Sequence, residues 1–565
     1  MHPLTYSFLH LRSSFSKIAA RLDSSHKPRG SPASTEVWKI PELVALIASE
    51  LECHKYKDNG PMAALSCLAQ VNRTVSSIAL AVLYSDIRGS LLNLLSILSP
   101  IAPSNTGFAF TRPLEKSDWE RFLNYTRLVK EIRFSHKKDF AYSPEIFSVM
   151  DASRPSIVLF PALKRLSGHE LSSSMEPMYR FLFRTGIISL DLDHWTPPSR
   201  VLQNIRITSS SLIELKLGCY LPSQAMALDA LTHSELVALV PELVLIEEIA
   251  LPASFVTSAV FEMLSQKRYL RVLELYPEET AASHSDLFEY AFDFPDSGFA
   301  ALRSITLQET SSKPHERLSV HNGISTLRSV RIFLSGNPRP HCSQGYFDSL
   351  SMFTFIQDLT VYATVRGDND EITDPLVGFS VLKPLLSLSM MRHFSFENEY
   401  PISLEDCHIE KIARAWPALE SFSFCNDIRF SEVQTKLTLS CLLSFAELCQ
   451  NIDTLTLAVN ACCFPPLRPK DNTIFAQEEI DFNAAFSPIN DPIMVAFFLA
   501  DIIPLSGTVT CEMGNDWASM NSPRVKMWED VADVIGMVRK SNARAVRRAA
   551  EAEVSDRDSS SDSDD

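Results

Sequence analysis

Along most of the chain one short pattern recurs: an aliphatic residue, two variable positions, a second aliphatic or aromatic residue, one variable position and a third. Twelve examples run from Val129-Ile132-Phe134 to Ile452-Leu455-Leu457. Between these stand Leu163-Leu166 with Gly168 in the third place, Ile187-Leu190-Leu192, Leu212-Leu215-Leu217, Ile246-Ile249-Leu251 and Leu270-Leu273-Leu275. Leu302-Ile305-Leu307, Leu327-Val330-Ile332, Ile356-Leu359-Val361, Met391-Phe394-Phe396 and Leu419-Phe422-Phe424 continue the series. The final three positions alternate apolar, variable, apolar, which is the period of a strand, so each example predicts one short strand with two side chains on the same face. The mean spacing is about 29 residues, within the range of stacked repeats.

Between strands the period lengthens to that of a helix. Val256, Val260, Met263 and Leu264 precede Leu270; Ile409, Ile412, Ala413 and Trp416 precede Leu419; Leu442, Phe445, Ala446 and Cys449 precede Ile452. A helix–strand unit cannot cover its own apolar face, so neighbours must stack with parallel strands on one side and helices on the other. An all-helical array is the alternative, but β-branched and aromatic residues concentrate in the short motifs and favour strands. The expected class is therefore α/β. These units resemble degenerate leucine-rich repeats over residues 110–505, and the resemblance implies a curved solenoid, a horseshoe. That family often places Asn three residues beyond the third aliphatic position; here Asn460 fits, with Asp427 as a substitute. Ile480-Asp481-Phe482 reads as a further strand. Asp491-Pro492 opens an apolar helix, Ile493 to Ile503 with Val495, Phe498 and Leu499, expected to cap the open end of the array.

Upstream, from Val37 to Ile87, the period is helical throughout. Pro41 suits the first position of a helix, where its missing N–H has no intrahelical partner. Leu43, Leu46, Ile47 and Leu51 then fall on one face. Gly60-Pro61 breaks the chain, Leu65, Leu68 and Ala69 make a second apolar face, and Val75, Ile78, Ala79, Val82 and Leu83 a third. Three such helices in about fifty residues bury little apolar surface, so a partner is expected.

The segments Trp38-Lys39-Ile40-Pro41-Glu42-Leu43, Leu68-Ala69-Gln70-Val71-Asn72-Arg73 and Ala81-Val82-Leu83-Tyr84 resemble an F-box in order and spacing. They depart from it in Asn72, where the family often has Cys, in Val75, near a common Trp, and in the long connection from Glu52 to Met62. The resemblance covers under a tenth of the chain. It implies a three-helix module that docks on the Skp-family adaptor of a cullin-based, SCF-type ubiquitin ligase, with a protein substrate held by the repeats. Ile40, Pro41, Leu43, Leu46, Ile47, Leu68, Val71, Leu83 and Tyr84 would make the apolar contact to the adaptor. The order F-box then leucine-rich repeats resembles a group of fungal F-box proteins. In that family other subunits catalyse ubiquitin transfer, so no enzyme activity, cofactor or metal is expected of this chain. A ligase-independent protein-binding scaffold, its N-terminal bundle serving only as a cap, is the alternative reading.

Variable positions between the motif residues, such as Asp191, Lys216, Glu274, Thr306, Arg331, Thr360 and Ser423, are expected to be exposed on the strand face where a substrate would lie. Beyond the repeats, Trp528, Val531, Val534, Ile535 and Val538 predict an amphipathic helix. The chain thus divides into a leader and linker (1–36), the helical module (37–100), the repeat array with its cap (110–505), a C-terminal segment carrying that helix (506–553) and an acidic, Ser-rich tail (554–565).

Composition narrows the class further. With 45% hydrophobic residues among 565 and a mean hydropathy of +0.02, the chain is expected to be mostly folded. A net charge of −16 argues against a nucleic-acid partner, because neutralising phosphates takes clustered Lys and Arg. Eleven cysteines, an odd number with no C-x-x-C pair, read as reduced thiols and predict a cytoplasmic and/or nuclear location. The longest apolar runs, Leu91 to Ile101 and Ile493 to Ala500, fall short of the roughly twenty residues that span a bilayer. Phosphate-loop, zinc-protease and nucleophile-elbow spacings are missing. Asp191, Asp193, His194 and Trp195 form the most enzyme-like cluster, and the alternation of a strand divides them between faces.

Overall fold

A computed structural model describes residues 38–53, 59–89, 91–104, 107–135, 144–155, 158–169, 182–183, 186–193, 199–218, 230–276, 298–309, 326–336, 345, 347–365, 377–398, 402–426, 435–463, 474–485, 487–511 and 523–559. The chain falls into two compact units that meet in sequence at Lys164 and Arg165.

The described residues of the first unit begin with three helices, α1 (Pro41–Cys53), α2 (Asn59–Leu68) and α3 (Arg73–Ser85). Val44, Ala48, Leu65, Val75 and Ala79 are buried, with the i, i+4 spacing that aligns side chains along one helix face. Asn72 takes an extended conformation ahead of α3, and its side-chain oxygen accepts from the Val75 N–H at 2.9 Å. An N-cap asparagine satisfies one of the orphan donors at a helix start.

Helix α3 passes directly into a strand the sequence pattern had hidden, β1 (Asp86–Gly89). The apolar run from Leu91 contains a single helical turn, α4 (Leu92–Leu95), with Leu91, Leu94, Leu95 and Leu98 buried. After it β2 (Ile101–Ser104) pairs antiparallel with β3 (Gly107–Phe110). A two-stranded ribbon tolerates Pro103 because an edge position needs no N–H there. Helix α5 (Lys116–Thr126) buries Trp119 and Phe122, β4 (Glu131–Ser135) pairs in parallel with β1, and α6 (Pro144–Ser153) buries Ile146, Phe147 and Met150.

In the second unit the strands come in sequence order: β5 (Arg165–His169), β6 (Ser189–Asp193), β7 (Glu214–Leu217), β8 (Glu248–Pro252), β9 (Val272–Tyr276), β10 (Ser304–Glu309), β11 (Ser329–Gly336) and β12 (Asp358–Val365). After β13 (Val377–Gly378) follow β14 (His393–Asn398), β15 (Ile402–Ser403), β16 (Ser421–Asn426), β17 (Thr454–Leu457), β18 (Asp481–Asn483) and β19 (Thr508–Thr510). Apart from β13 and β15, which pair with each other, every strand hydrogen-bonds in parallel to the next. The register aligns equivalent motif positions. Ile305 lies beside Val330, Val330 beside Leu359, Leu359 beside Phe394, Phe394 beside Phe422, and the row continues through Leu455 and Phe482 to Val509. All of them are buried, so one column of motif residues becomes a continuous core.

Helices α7 (Ser199–Arg206), α8 (Ala230–Glu242), α9 (Ser258–Ser265), α10 (Phe379–Leu382), α11 (Asp406–Ala415) and α12 (Cys441–Leu448) connect these strands. Ile409, Ile412, Ala413 and Trp416, and likewise Leu442, Phe445, Ala446 and Cys449, are buried as their spacing predicted. In α9 Phe261 is buried and Met263 half-exposed. Where aromatic motif residues neighbour each other they interleave: Phe394 with Phe422 at 5.5 Å, Phe396 with Phe424 at 5.3 Å, and Phe394 with Trp416 at 5.0 Å between ring centroids. The Trp416 indole N–H donates to the Leu385 carbonyl at 3.2 Å, so the ring's one polar group is satisfied in the core.

The C-terminal end differs from expectation. Helix α13 (Pro492–Ile502) does not close the array; β19 follows it and adds a further strand. Ser506 stands three positions before Val509, where the motif would have its first aliphatic residue, so the pattern does not mark this strand. The cover comes from α14 (Pro523–Ser559), which buries Val525, Trp528, Val531 and Ile535. Trp528 meets Phe482 edge-on and donates from its indole N–H to the Ser487 carbonyl at 3.0 Å. The chain is thus α/β with a long, open, parallel sheet, and no described helix is long and apolar enough to cross a membrane.

Candidate interaction surfaces

Helix α1 turns its small apolar residues inward and its large ones outward. Val44 and Ala48 are fully buried, while Ile40, Leu43, Leu46 and Ile47 keep 42%, 38%, 64% and 37% of their surface exposed. Val71, in the turn before α3, keeps 49%. At 100° per residue Leu43, Leu46 and Ile47 lie on one side of the helix and Val44 and Ala48 on the other. The sequence pattern had found an apolar stripe, but the side packed inside the unit is the adjacent one. Pro41 is exposed as well, at the helix start.

The other expected adaptor residues are placed differently. Leu68, Leu83 and Tyr84 are half-buried within the unit. The Tyr84 ring packs on Tyr125 of α5 with centroids 4.8 Å apart. Burial first, and then the neighbouring Tyr125, raise the Tyr84 hydroxyl above its ordinary pKa.

On the sheet of the second unit, the expected strand-face residues fall in one register row. Asp191 lies beside Lys216, Glu274 beside Thr306, Thr306 beside Arg331 and Arg331 beside Thr360. Lys216 donates to Glu214 at 2.7 Å, with Glu248 at 3.9 Å. Asp191, Lys216, Glu274, Thr360 and Ser423 are half-buried and Arg331 is exposed. Thr306, expected to be exposed, is buried: its short side chain lies in the register between the longer Glu274 and Arg331.

A second row went unnoticed in the sequence although its signal is there. Arginine follows the first aliphatic residue of the motif in Leu270-Arg271, Leu302-Arg303, Leu327-Arg328 and Met391-Arg392. Further along the face Phe333 stacks on Tyr362 with centroids 4.6 Å apart and planes 7° from parallel.

Other chemistry is already engaged. Asn460 uses its side-chain oxygen to accept from the Cys462 N–H at 3.0 Å, while Asp427 lies outside the described residues. Glu405, Cys407 and His408 have ligand atoms within 4.8 Å of one another. Glu405 and His408, however, form the capping box of α11, with His408 Nδ1 accepting from the Glu405 N–H at 3.1 Å, and Lys436 sits 3.5 Å from the Glu405 carboxylate. The positive end of a helix disfavours a cation there. Burial pushes the thiol of the core residue Cys449 up to about 12 and that of the half-buried Cys511 to about 11, which disfavours the reactive thiolate at both. His194 and Trp195 of the carboxylate cluster lie outside the described residues.

The class of the chain is therefore that of an α/β protein built on a long parallel sheet, with an apolar helix face at one end of the sequence and a polar strand face further along. No protein-family model matches the chain, and no curated protein matches it.

Proposed function

We propose that this chain is a non-catalytic recognition subunit of an SCF-type ubiquitin ligase. Its N-terminal helices would dock on a Skp-family adaptor, and its repeats, as a leucine-rich-repeat solenoid, would hold a protein substrate. The observation that carries this reading is the outward apolar face of α1, where Leu43, Leu46 and Ile47, with Ile40 just before the helix, are exposed beside two buried small side chains. A contiguous exposed apolar patch on a soluble surface marks an interaction site, and these residues are the ones the F-box resemblance assigns to the adaptor. Leu68, Leu83 and Tyr84 would contribute only their exposed edges. On this reading the chain acts in the cytoplasm or nucleus and supplies proximity, bringing a bound substrate to a ubiquitin-charged partner.

The test is co-purification of the full chain with a Skp-family adaptor, comparing wild type with Leu43→Asp combined with Leu46→Asp. A one-to-one complex that the double variant loses, while keeping its melting temperature, supports the ligase reading. If the soluble wild-type chain elutes without the adaptor, the F-box assignment falls and the ligase-independent scaffold takes its place.

A further inference from the structure

The arginines that follow the first motif residue are brought side by side by the sheet. The Arg303 N–H donates to the Arg271 carbonyl and the Arg328 N–H to the Arg303 carbonyl, each at 2.8 Å. Adjacent strands lie about 4.8 Å apart, so the three side chains start as near neighbours. The outer arginines are neutralised: Arg271 by Glu247 at 2.9 Å and, two strands beyond Arg328, Arg392 by Glu420 at 3.4 Å. Arg303 and Arg328, each one residue before its strand, have no carboxylate within ion-pair distance among the described residues, and neither has Arg331, the third residue of β11. All three are exposed.

Like charges facing each other on neighbouring strands destabilise a sheet. The chain has 68 Asp and Glu against 52 Lys and Arg, so carboxylates are plentiful, yet among the described residues none is placed against these three. A row closed with ion pairs at both ends and left open at its centre is a receptor for an outside anion.

We propose that the N-terminal ends of β10 and β11 bind a short acidic segment of a partner protein, with Arg303 and Arg328, just before the strands, and Arg331 within β11 taking its carboxylates. A guanidinium presents paired N–H donors that match a carboxylate in a two-point contact. The stacked Phe333 and Tyr362, on the same side of the sheet as Arg331, offer the edges of their rings as an apolar contact for the residue that follows the acids. The surroundings limit the length of the ligand. Asp358 lies in register with Ser329, Glu274 with Thr306, and Glu247 and Glu420 stand at the two ends of the row. A polyanion such as RNA would run onto these carboxylates; a segment only two or three strands wide would not. This site goes beyond the adaptor reading and stands or falls independently of it.

The test uses the full chain and fluorescence anisotropy with a labelled peptide of about ten residues carrying consecutive glutamates and one tyrosine. A control peptide has glutamine in place of glutamate. Wild type is expected to bind the glutamate peptide and lose it as salt is raised, and Arg303→Gln with Arg328→Gln and Arg331→Gln is expected to weaken binding about tenfold or more. The triple variant should melt with wild type, since all three side chains are exposed. Equal binding by the triple variant, equal binding of the glutamine peptide, or no binding to wild type overturns the proposal. Tighter binding of poly-uridine RNA, or of a phosphoserine version of the peptide, overturns the assignment to carboxylates. Removal of residues 554–565 that raises peptide affinity would make the chain's own tail the occupant and overturn the assignment to a partner.

Discussion

Helices α1 and α11 have similar lengths and the same three-and-four spacing of apolar residues, yet they use it in opposite ways. Helix α11 buries Ile409, Ile412 and Ala413 with Trp416 at its end, and shows water an i, i+4 pair, Glu410 with Arg414 at 2.7 Å. Helix α1 buries Val44 and Ala48 and shows water its larger residues. The difference is what each has to cover. A repeat helix lies between strands that present a full apolar face, so its large side chains are consumed within the unit. Periodicity reports that a helix has an apolar stripe; only the identity of the neighbour decides whether that stripe is core or contact surface.

The comparison breaks most directly by truncating one residue from each helix. Trp416→Ala removes a fully buried ring that meets Phe394 and bonds to Leu385, and should cost about 3–5 kcal/mol. Leu46→Ala should stay within about 0.5 kcal/mol of wild type. Hydrogen exchange at the β14 and β16 amides reads the first directly, and denaturant unfolding reads both. A Leu46→Ala cost approaching that of Trp416→Ala would mean that α1 is packed against something within the chain, and the outward face would not be free for a partner.

A smaller effect should come at the far end of the sheet. A Cβ placed on Gly507 would lie 2.6 Å from Ile503 Cγ2, 2.8 Å from Ile480 Cγ2 and 2.9 Å from the Ile480 carbonyl oxygen. The last of these is backbone and cannot swing aside. Gly507→Ala should therefore destabilise the β18–β19 end by about 1–3 kcal/mol, and should loosen α14, since Arg539 donates to the Gly507 carbonyl at 2.6 Å. Proteolysis between β19 and α14 should accelerate in the variant. An unchanged cleavage rate would show that α14 holds its place without this junction.

What the sequence revealed and what it hid follow the same physical line. The strand columns were legible because each motif repeats the period-two alternation at a buried, aliphatic or aromatic position, and the register then joins like to like, Ile305 to Val330 to Leu359. Strands β1 and β19 were not, because neither carries the full motif: Gly89 takes the third apolar place in β1, which also continues an apolar helical run without a break, and Ser506 takes the first aliphatic place before β19. The β2–β3 hairpin was masked by Pro100 and Pro103, which read as punctuation and in fact sit in and beside an edge ribbon. Of the site residues, Ile40, Leu43, Leu46, Ile47 and Arg331 could be named from sequence, whereas the burial of Thr306 depends on its strand neighbours. The arginine row had its signal in the Leu-Arg pairs. Unequal repeat lengths separate Arg271, Arg303 and Arg328 in sequence, and only pairing reveals them as adjacent.

The smallest effect belongs to an ion pair on the surface of the first unit. Arg112 grips Asp118 with two N–H donors at 2.7 Å each, and the Glu115 N–H adds a third bond at 2.9 Å. The Arg112 hydrogen bond first, and then the Glu115 backbone, lower the Asp118 carboxyl to about 2. Its folded value lies below the ordinary carboxylate value, so the pair adds stability that is present above about pH 4 and is lost as the pH falls towards 2. Water screens the pair, which keeps the contribution small. Carbon-detected NMR titration of the Asp118 carboxyl should find its midpoint near 2 in wild type and higher in Arg112→Gln. An unshifted midpoint in the variant would leave the backbone bond at the start of α5 as the dominant cause. In that case helix capping, and not the guanidinium, would set the charge at this end of the unit.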